Sequence, residues 1–315
     1  MALSRRDFFK VGGSTGLALA MASALEQESA SAASLGDSQS GVLIDISKCI
    51  GCRTCEKTCK LANNLPAEIQ APSQRKLTAY TWTFVDKRLM QASAKQTATR
   101  FAKKQCMHCV DPACVSVCPV GALQKSASGA VVYDESRCIG CRYCMTACPF
   151  DVPRYQWESA TPLIRKCQFC STRLQEGKPT ACSAACPSGA LTFGQRNELL
   201  AEAAARIKEN PDRYVDYIYG KNEVGGTSVL YISNVPFEEL GFRMDLPKDP
   251  LPERTHAVMS KLPALVLGLA VVLGTSTVLS GRGLNGNGNG DGNGKSKESG
   301  SGQPTAQNSA EGDMK

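Results

Sequence analysis

Apolar and polar positions along this chain alternate in short bursts. Residues 42–46 (Val-Leu-Ile-Asp-Ile) and 130–133 (Ala-Val-Val-Tyr) are brief apolar runs that predict short strands. Residues 78–85 hold Tyr80, Trp82, Phe84 and Val85 among threonines and predict another strand, as do residues 228–233. A helical pattern begins at Asn197 and runs to about Lys208, stopping before Asn210-Pro211. One apolar run is long: residues 262–280 carry no charge between Lys261 and Arg282. As a helix that run spans about 28 Å, close to the hydrocarbon thickness of a bilayer, with Pro263 in its first turn. It predicts a single transmembrane anchor. Residues 281–315 are rich in Gly, Asn and Ser, cannot pack a core, and predict a disordered tail.

The cysteines change this picture most. The sixteen fall into four quartets with none left over: Cys49-Cys52-Cys55-Cys59, Cys106-Cys109-Cys114-Cys118, Cys138-Cys141-Cys144-Cys148 and Cys167-Cys170-Cys182-Cys186. The first and third are spaced C-x2-C-x2-C-x3-C, the second C-x2-C-x4-C-x3-C, the fourth C-x2-C-x11-C-x3-C. Such a run, closed by proline, is the bacterial ferredoxin signature: three cysteines wrap one cubane cluster and the fourth ligates its neighbour. Pro119, Pro149 and Pro187 follow the last cysteine of three quartets, and Gly51 and Gly140 let backbone approach the cluster. Structural zinc also uses C-x2-C pairs, but rarely as a four-cysteine run ending in C-P. A disulfide framework does not account for a spacing rule kept four times. The quartets therefore imply four 4Fe–4S clusters.

The quartets also repeat. Ile44 to Arg53 resembles Val132 to Arg142, and Cys118-Pro119-Val120-Gly121-Ala122-Leu123 resembles Cys186-Pro187-Ser188-Gly189-Ala190-Leu191. Quartets one and three are one type, two and four the other. Each ferredoxin-like pair needs one of each. Sequence spacing allows one-with-two plus three-with-four, or the nested one-with-four plus two-with-three.

The formal net charge of +7 points at first to nucleic acid. Each oxidised cluster with four thiolates carries about −2, so four carry roughly −8 and the loaded protein is near neutral. Aromatic residues are not interleaved with basic ones, and no nucleic-acid motif is present. Gly225-Gly226 fits neither phosphate-loop pattern, and no Ser–His–Asp set, flavin or nicotinamide motif is found, so the chain reads as non-catalytic. Of the two histidines, His108 lies inside the second quartet, where it could tune a cluster, and His256 precedes the apolar run. At the other end, Ser4-Arg5-Arg6-Asp7-Phe8-Phe9-Lys10 is a twin-arginine signal before a mildly apolar stretch, with Ala30-Ser31-Ala32 as a cleavage site. That route exports proteins folded with their cofactors, which keeps sixteen thiols from entering an oxidising compartment bare.

The cysteine array from Asp45 to Gly194 resembles the four-cluster iron–sulfur subunits of the dimethyl-sulfoxide-reductase family. Lys104 to Val120, Cys138 to Met145, Gly225-Gly226-Thr227 and Val235 to Leu240 resemble more narrowly the iron–sulfur partners of membrane-bound, hydrogenase-2-type nickel–iron hydrogenases. The resemblance implies an α+β fold: two pseudo-symmetric ferredoxin-like 4Fe–4S lobes with a single C-terminal transmembrane helix. It implies the nested pairing. Cys49, Cys52, Cys55 and Cys186 would hold the first cluster, and Cys167, Cys170, Cys182 and Cys59 the second. Cys106, Cys109, Cys114 and Cys148 would hold the third, and Cys138, Cys141, Cys144 and Cys118 the fourth. Cys59 is followed by Lys60 where the pattern has proline. The implied role is an electron relay between the hydrogenase small subunit, itself bound to its large subunit, and an integral membrane quinone-reactive subunit. The body would lie on the periplasmic face of the cytoplasmic membrane. The same relay could serve a formate dehydrogenase, a polysulfide or thiosulfate reductase, or a nitrite-reduction complex. The expected organisation is a signal peptide (1–32), a four-cluster domain (41–245) with an insertion (60–105), a linker (246–261), the anchor (262–280) and the tail (281–315).

Overall fold

The structure is a computed structural model that describes residues 39–273 apart from 69, 72, 73, 94, 95 and 271. The twin-arginine segment and the glycine-rich tail lie outside the described residues.

The run at 42–46 forms β1 (Ser40–Asp45), of which all but the first residue are buried. It is buried on both faces because it is the middle strand of a sheet ordered β8–β1–β9, where β8 is Leu191–Gln195 and β9 is Val229–Ile232. β1 runs antiparallel to β8 and parallel to β9. Side chains alternate across the sheet. Leu43, Leu230 and Ile232 meet Leu199, Ala203 and Ile207, which recur every four residues along the long helix α6 (Arg196–Glu209). Val42, Ile44, Val229 and Tyr231 face the other way, into a core that includes Cys55 and Cys182.

The sequence repeat becomes a structural one. Asp45 caps a 3-10 turn (Ile46–Lys48) by accepting from Ser47 N at 3.0 Å and Ser47 Oγ at 2.6 Å. Asp134 does the same for Glu135–Arg137 through Ser136, at the same two distances. Each turn delivers a cysteine loop and then a helix: α1 (Thr54–Ala62) and α3 (Tyr143–Ala147). In one half, β1 pairs with β8, and α1 packs on α5 (Ala181–Ala184). In the other, β5 (Val131–Tyr133) pairs with β4 (Leu123–Lys125), and α3 packs on α2 (Ala113–Ser116). The halves are nested in chain order: the strand entering quartet one pairs with the strand leaving quartet four. A short pair, β6 (Arg154–Tyr155) and β7 (Ile164–Arg165), and helix α4 (Ser171–Gln175) complete the cysteine region.

Two expectations are corrected. The strand expected at 78–85 begins only at its end. β2 (Phe84–Ser93) pairs with β3 (Gln96–Lys104) as a long hairpin. Upstream, the threonines make a turn instead: Thr78 Oγ1 accepts from Tyr80 N and Thr81 N, and Trp82 Nε1 bonds Ala79 O at 3.0 Å. The second correction is to the fold class. Among the described residues no helix is long and apolar enough to cross a membrane. Helix α7 (Leu251–Met259), inside the expected linker, carries Glu253, Arg254 and His256, and a turn at residues 260–261 follows it. Residues 262–270 are again helical. The described fold is thus a small α+β fold with a ferredoxin-like 4Fe–4S domain and no membrane-spanning helix; residues 271 and 274–280 of the expected span lie outside the described residues. The described residues from 259 onward belong to a unit separate from the cysteine-bearing one.

Candidate cluster sites

The cysteine loops are built by residues that tolerate left-handed backbone. Gly51 and Gly140 have φ of +70° and +69°, and the arginine after each second cysteine, Arg53 or Arg142, sits at φ +61° or +64°. His108 and Phe169 hold the positions of these glycines in quartets two and four, at φ +49° and +57°. A non-glycine residue there costs roughly 1–2 kcal/mol, so these loops are held by their surroundings. The loops point backbone amides at sulfur: Ala122 N lies 3.2 Å from Cys118 Sγ, Phe169 N 3.4 Å from Cys167 Sγ, and Ala181 N 3.5 Å from Cys170 Sγ.

All sixteen cysteines are unbridged. Cys59, Cys167, Cys170 and Cys182 line one small cavity with Asn63, Gln105 and Thr180. Cys118, Cys138, Cys141 and Cys144 line another with Tyr133 and Ile164. In each cavity one cysteine comes from a different quartet than the other three. Other thiols are coupled electrostatically. Burial raises the Cys49 thiol, and Cys186 and Cys52 add to it. Burial likewise lifts Cys109 well above its ordinary value, with Cys148, Cys106 and Cys114 adding.

Charge coupling also runs between quartets. Burial pushes Cys55 to about 11, with a contribution from Cys182. It raises Cys167 far above normal, and Cys106 contributes there. It pushes Cys114 to about 12, where Cys144 contributes. The loops of quartets one and three reach solvent: Cys52 and Cys141 are exposed, as are the neighbouring Ile50 and Ile139.

These residues fit 4Fe–4S clusters. Each void is walled by soft sulfur donors, the set that selects iron–sulfur chemistry. Among the described residues no three His, Cys, Asp or Glu side chains gather as a site for one metal ion. Tyr133 also lines its void, with its hydroxyl against Cys138. Buried cations that sequence patterning did not reveal lie among the thiols. Lys103 is 1% exposed and donates to Gln105 Oε1. Burial opposes its charge, yet Cys182, Cys55, Cys167 and Cys59 hold its pKa above the ordinary lysine value. Lys166, 2% exposed, donates to the carbonyls of Val131 and Cys167. Lys60, where a proline was expected, donates to Pro66 O and Tyr80 O; without the proline, α1 continues past Cys59 to Ala62.

The fold and its cysteine-walled voids define a multicluster iron–sulfur protein of the ferredoxin class. Comparison with known proteins agrees. A family model, the 4Fe-4S dicluster domain, matches residues 97–196. A protein of Nitratidesulfovibrio vulgaris is 42% identical over 283 residues, covering 87% of this chain and 75% of its own. Hydrogenase-2 operon protein HybA of Escherichia coli O157:H7 is 36% identical over 279 residues, covering 76% of this chain and 83% of its own. The iron-sulfur subunit of the nitrate-inducible formate dehydrogenase of Escherichia coli K12 is 34% identical over 216 residues, covering 66% and 72%. The chain belongs to the family of 4Fe–4S electron-transfer subunits that includes HybA and the formate dehydrogenase iron–sulfur subunits. Its sixteen cysteines fit four clusters.

Proposed function

We propose that this subunit relays electrons between the small subunit of a periplasmic nickel–iron hydrogenase and an integral membrane quinone-reactive subunit. The observation that carries the choice of partner is the extent of the likeness to HybA, which spans 83% of that protein. The ligand sets are Cys49, Cys52, Cys55 with Cys186; Cys167, Cys170, Cys182 with Cys59; Cys106, Cys109, Cys114 with Cys148; and Cys138, Cys141, Cys144 with Cys118. The two shared cavities and the β1–β8 pairing support them. When bound, the clusters supply one-electron, outer-sphere transfer, which needs no general acid or base. The chain's part is to space the thiolates, exclude water from the buried ones and expose the loops of quartets one and three to partners. Chemistry on hydrogen belongs to the partner. Export by the twin-arginine route, signalled by Arg5-Arg6, would carry the loaded subunit to the periplasmic face of the membrane, docked on its integral partner.

Deleting the subunit tests this. Hydrogen-dependent quinone reduction is expected to stop while dye-linked hydrogen oxidation persists. Loss of both would mark an assembly role and overturn the relay. The 34% identity to the formate dehydrogenase subunit favours one other terminal for the same wire. Co-purification of a molybdopterin subunit, with no hydrogenase subunit, would select it.

A further inference from the structure

His108 carries an unmet hydrogen-bond donor among the cysteines. Its ring is fully buried, between Cys106 and Cys109 in sequence. Nδ1 accepts the Val131 amide at 2.9 Å, so Nδ1 bears no proton. The proton of the ring is therefore on Nε2. Among the described residues Nε2 has no partner. Native folds rarely leave such a buried donor unpaired.

The position of the ring suggests what the acceptor is. His108 stacks on Phe169, with centroids 4.5 Å apart and planes tilted by 37°. Phe169 is its counterpart in the repeat, the residue before the second cysteine of quartet four. The two rings thus meet where the loop of the third cluster group abuts the loop of the second, close to the approach of Cys167 to Cys106. The strand carrying Val131 fixes the ring from one side, and the fourth-quartet loop fixes it from the other. Nearby nitrogens cannot accept: Lys125 and Lys166 are themselves donors, to the carbonyls of Cys109 and Cys167.

We propose that His108 donates its Nε2–H to a sulfur atom of the inner cluster pair, the second and third, and so sets the potential of the hop between them. It is a positioning and tuning residue: a donor to cluster sulfur stabilises the reduced state and raises the potential. The proposal rests on the reading that the quartets hold clusters. The acceptor is cluster-bound sulfur, of the third cluster on its own loop or of the second across the Phe169 contact.

The test uses the full chain purified anaerobically, with iron and sulfide counted first. In His108→Phe, the reduced-to-oxidised ratio of one inner cluster at fixed ambient potential should fall about tenfold by EPR-monitored titration, a midpoint drop of about 59 mV. The other clusters should stay put, and His108→Gln, which keeps an N–H, should recover much of the shift. The cluster that moves identifies the acceptor. Unchanged midpoints at full iron content would overturn the proposal. Should His108→Phe lose iron, the wild-type chain labelled with 15N-histidine decides. There are two histidines, and only His108 lies among the cysteines. A 15N coupling at a reduced inner cluster is expected, and its absence overturns the proposal. A chain without iron and sulfide would instead overturn the cluster reading beneath it.

Discussion

Two equivalent glycines should respond differently to the same methyl group. Gly51 and Gly140 sit in matching loops with nearly the same backbone, φ +70° and +69°. Alanine at either position carries the left-handed penalty of roughly 1–2 kcal/mol. At Gly51 a Cβ would also lie 2.6 Å from the Phe101 ring, whereas at Gly140 the nearest atom is Tyr155 Oη at 3.3 Å. Phe101 is on β3 and packs against the main core, so it has little room to retreat. Overpacking of this kind adds about 1–3 kcal/mol. Gly51→Ala should therefore cost about 2–5 kcal/mol and Gly140→Ala about 1–2. At about 2–4 °C per kcal/mol for a domain of this size, the apparent Tm values should differ by roughly 2–12 °C. Thermal unfolding of the anaerobic, loaded protein, followed by circular dichroism and by bleaching of cluster absorbance, measures it. Phe101→Leu should recover part of the loss in the Gly51→Ala background and none in the Gly140→Ala background. Equal Tm losses, or a larger loss at Gly140, would refute the reasoning.

Other outcomes follow from the same geometry. The double variant Cys59→Ala/Cys167→Ala should lose about four of about sixteen iron atoms, because both residues wall one cavity; if quartet one instead paired with quartet two, about eight would go. Glu68 responds to pH: burial raises its pKa, but hydrogen bonds from Thr78 and Thr81, each 2.6 Å, bring it below the ordinary value. Its contribution is present above the unfolded carboxylate value of about 4.3 and fades as pH falls through the lower folded value. Glu68→Gln should thus lower the urea midpoint near pH 7 and converge with wild type in acid, as urea melts across pH 3–7 would record.

Much of the site was legible in the chain because its rules are local. The repeat around Asp45 and Asp134 was legible, and the structure turns it into two matching capped turns. The β1 and α6 runs were legible for the same reason, since apolar patterning reports burial directly. What was not legible depends on distant chain. The parallel pairing of β1 with β9 joins residues almost two hundred positions apart, and nothing local marks it. Lys103 looks like an ordinary strand lysine; it is buried only because the fold brings thiols of quartets one and four around it. The strand expected at 78–85 failed because threonine hydroxyls compete with ladder bonds. The expected transmembrane helix was read from uncharged length alone, and among the described residues no helix is long and apolar enough to cross a membrane.

The account stands most directly on metal content. Iron, acid-labile sulfide and zinc should be counted in the full chain purified without oxygen, with Mössbauer spectra to identify the iron. The expected result is about sixteen iron and sixteen sulfide per chain, all as 4Fe–4S clusters. Stoichiometric zinc without sulfide would contradict it.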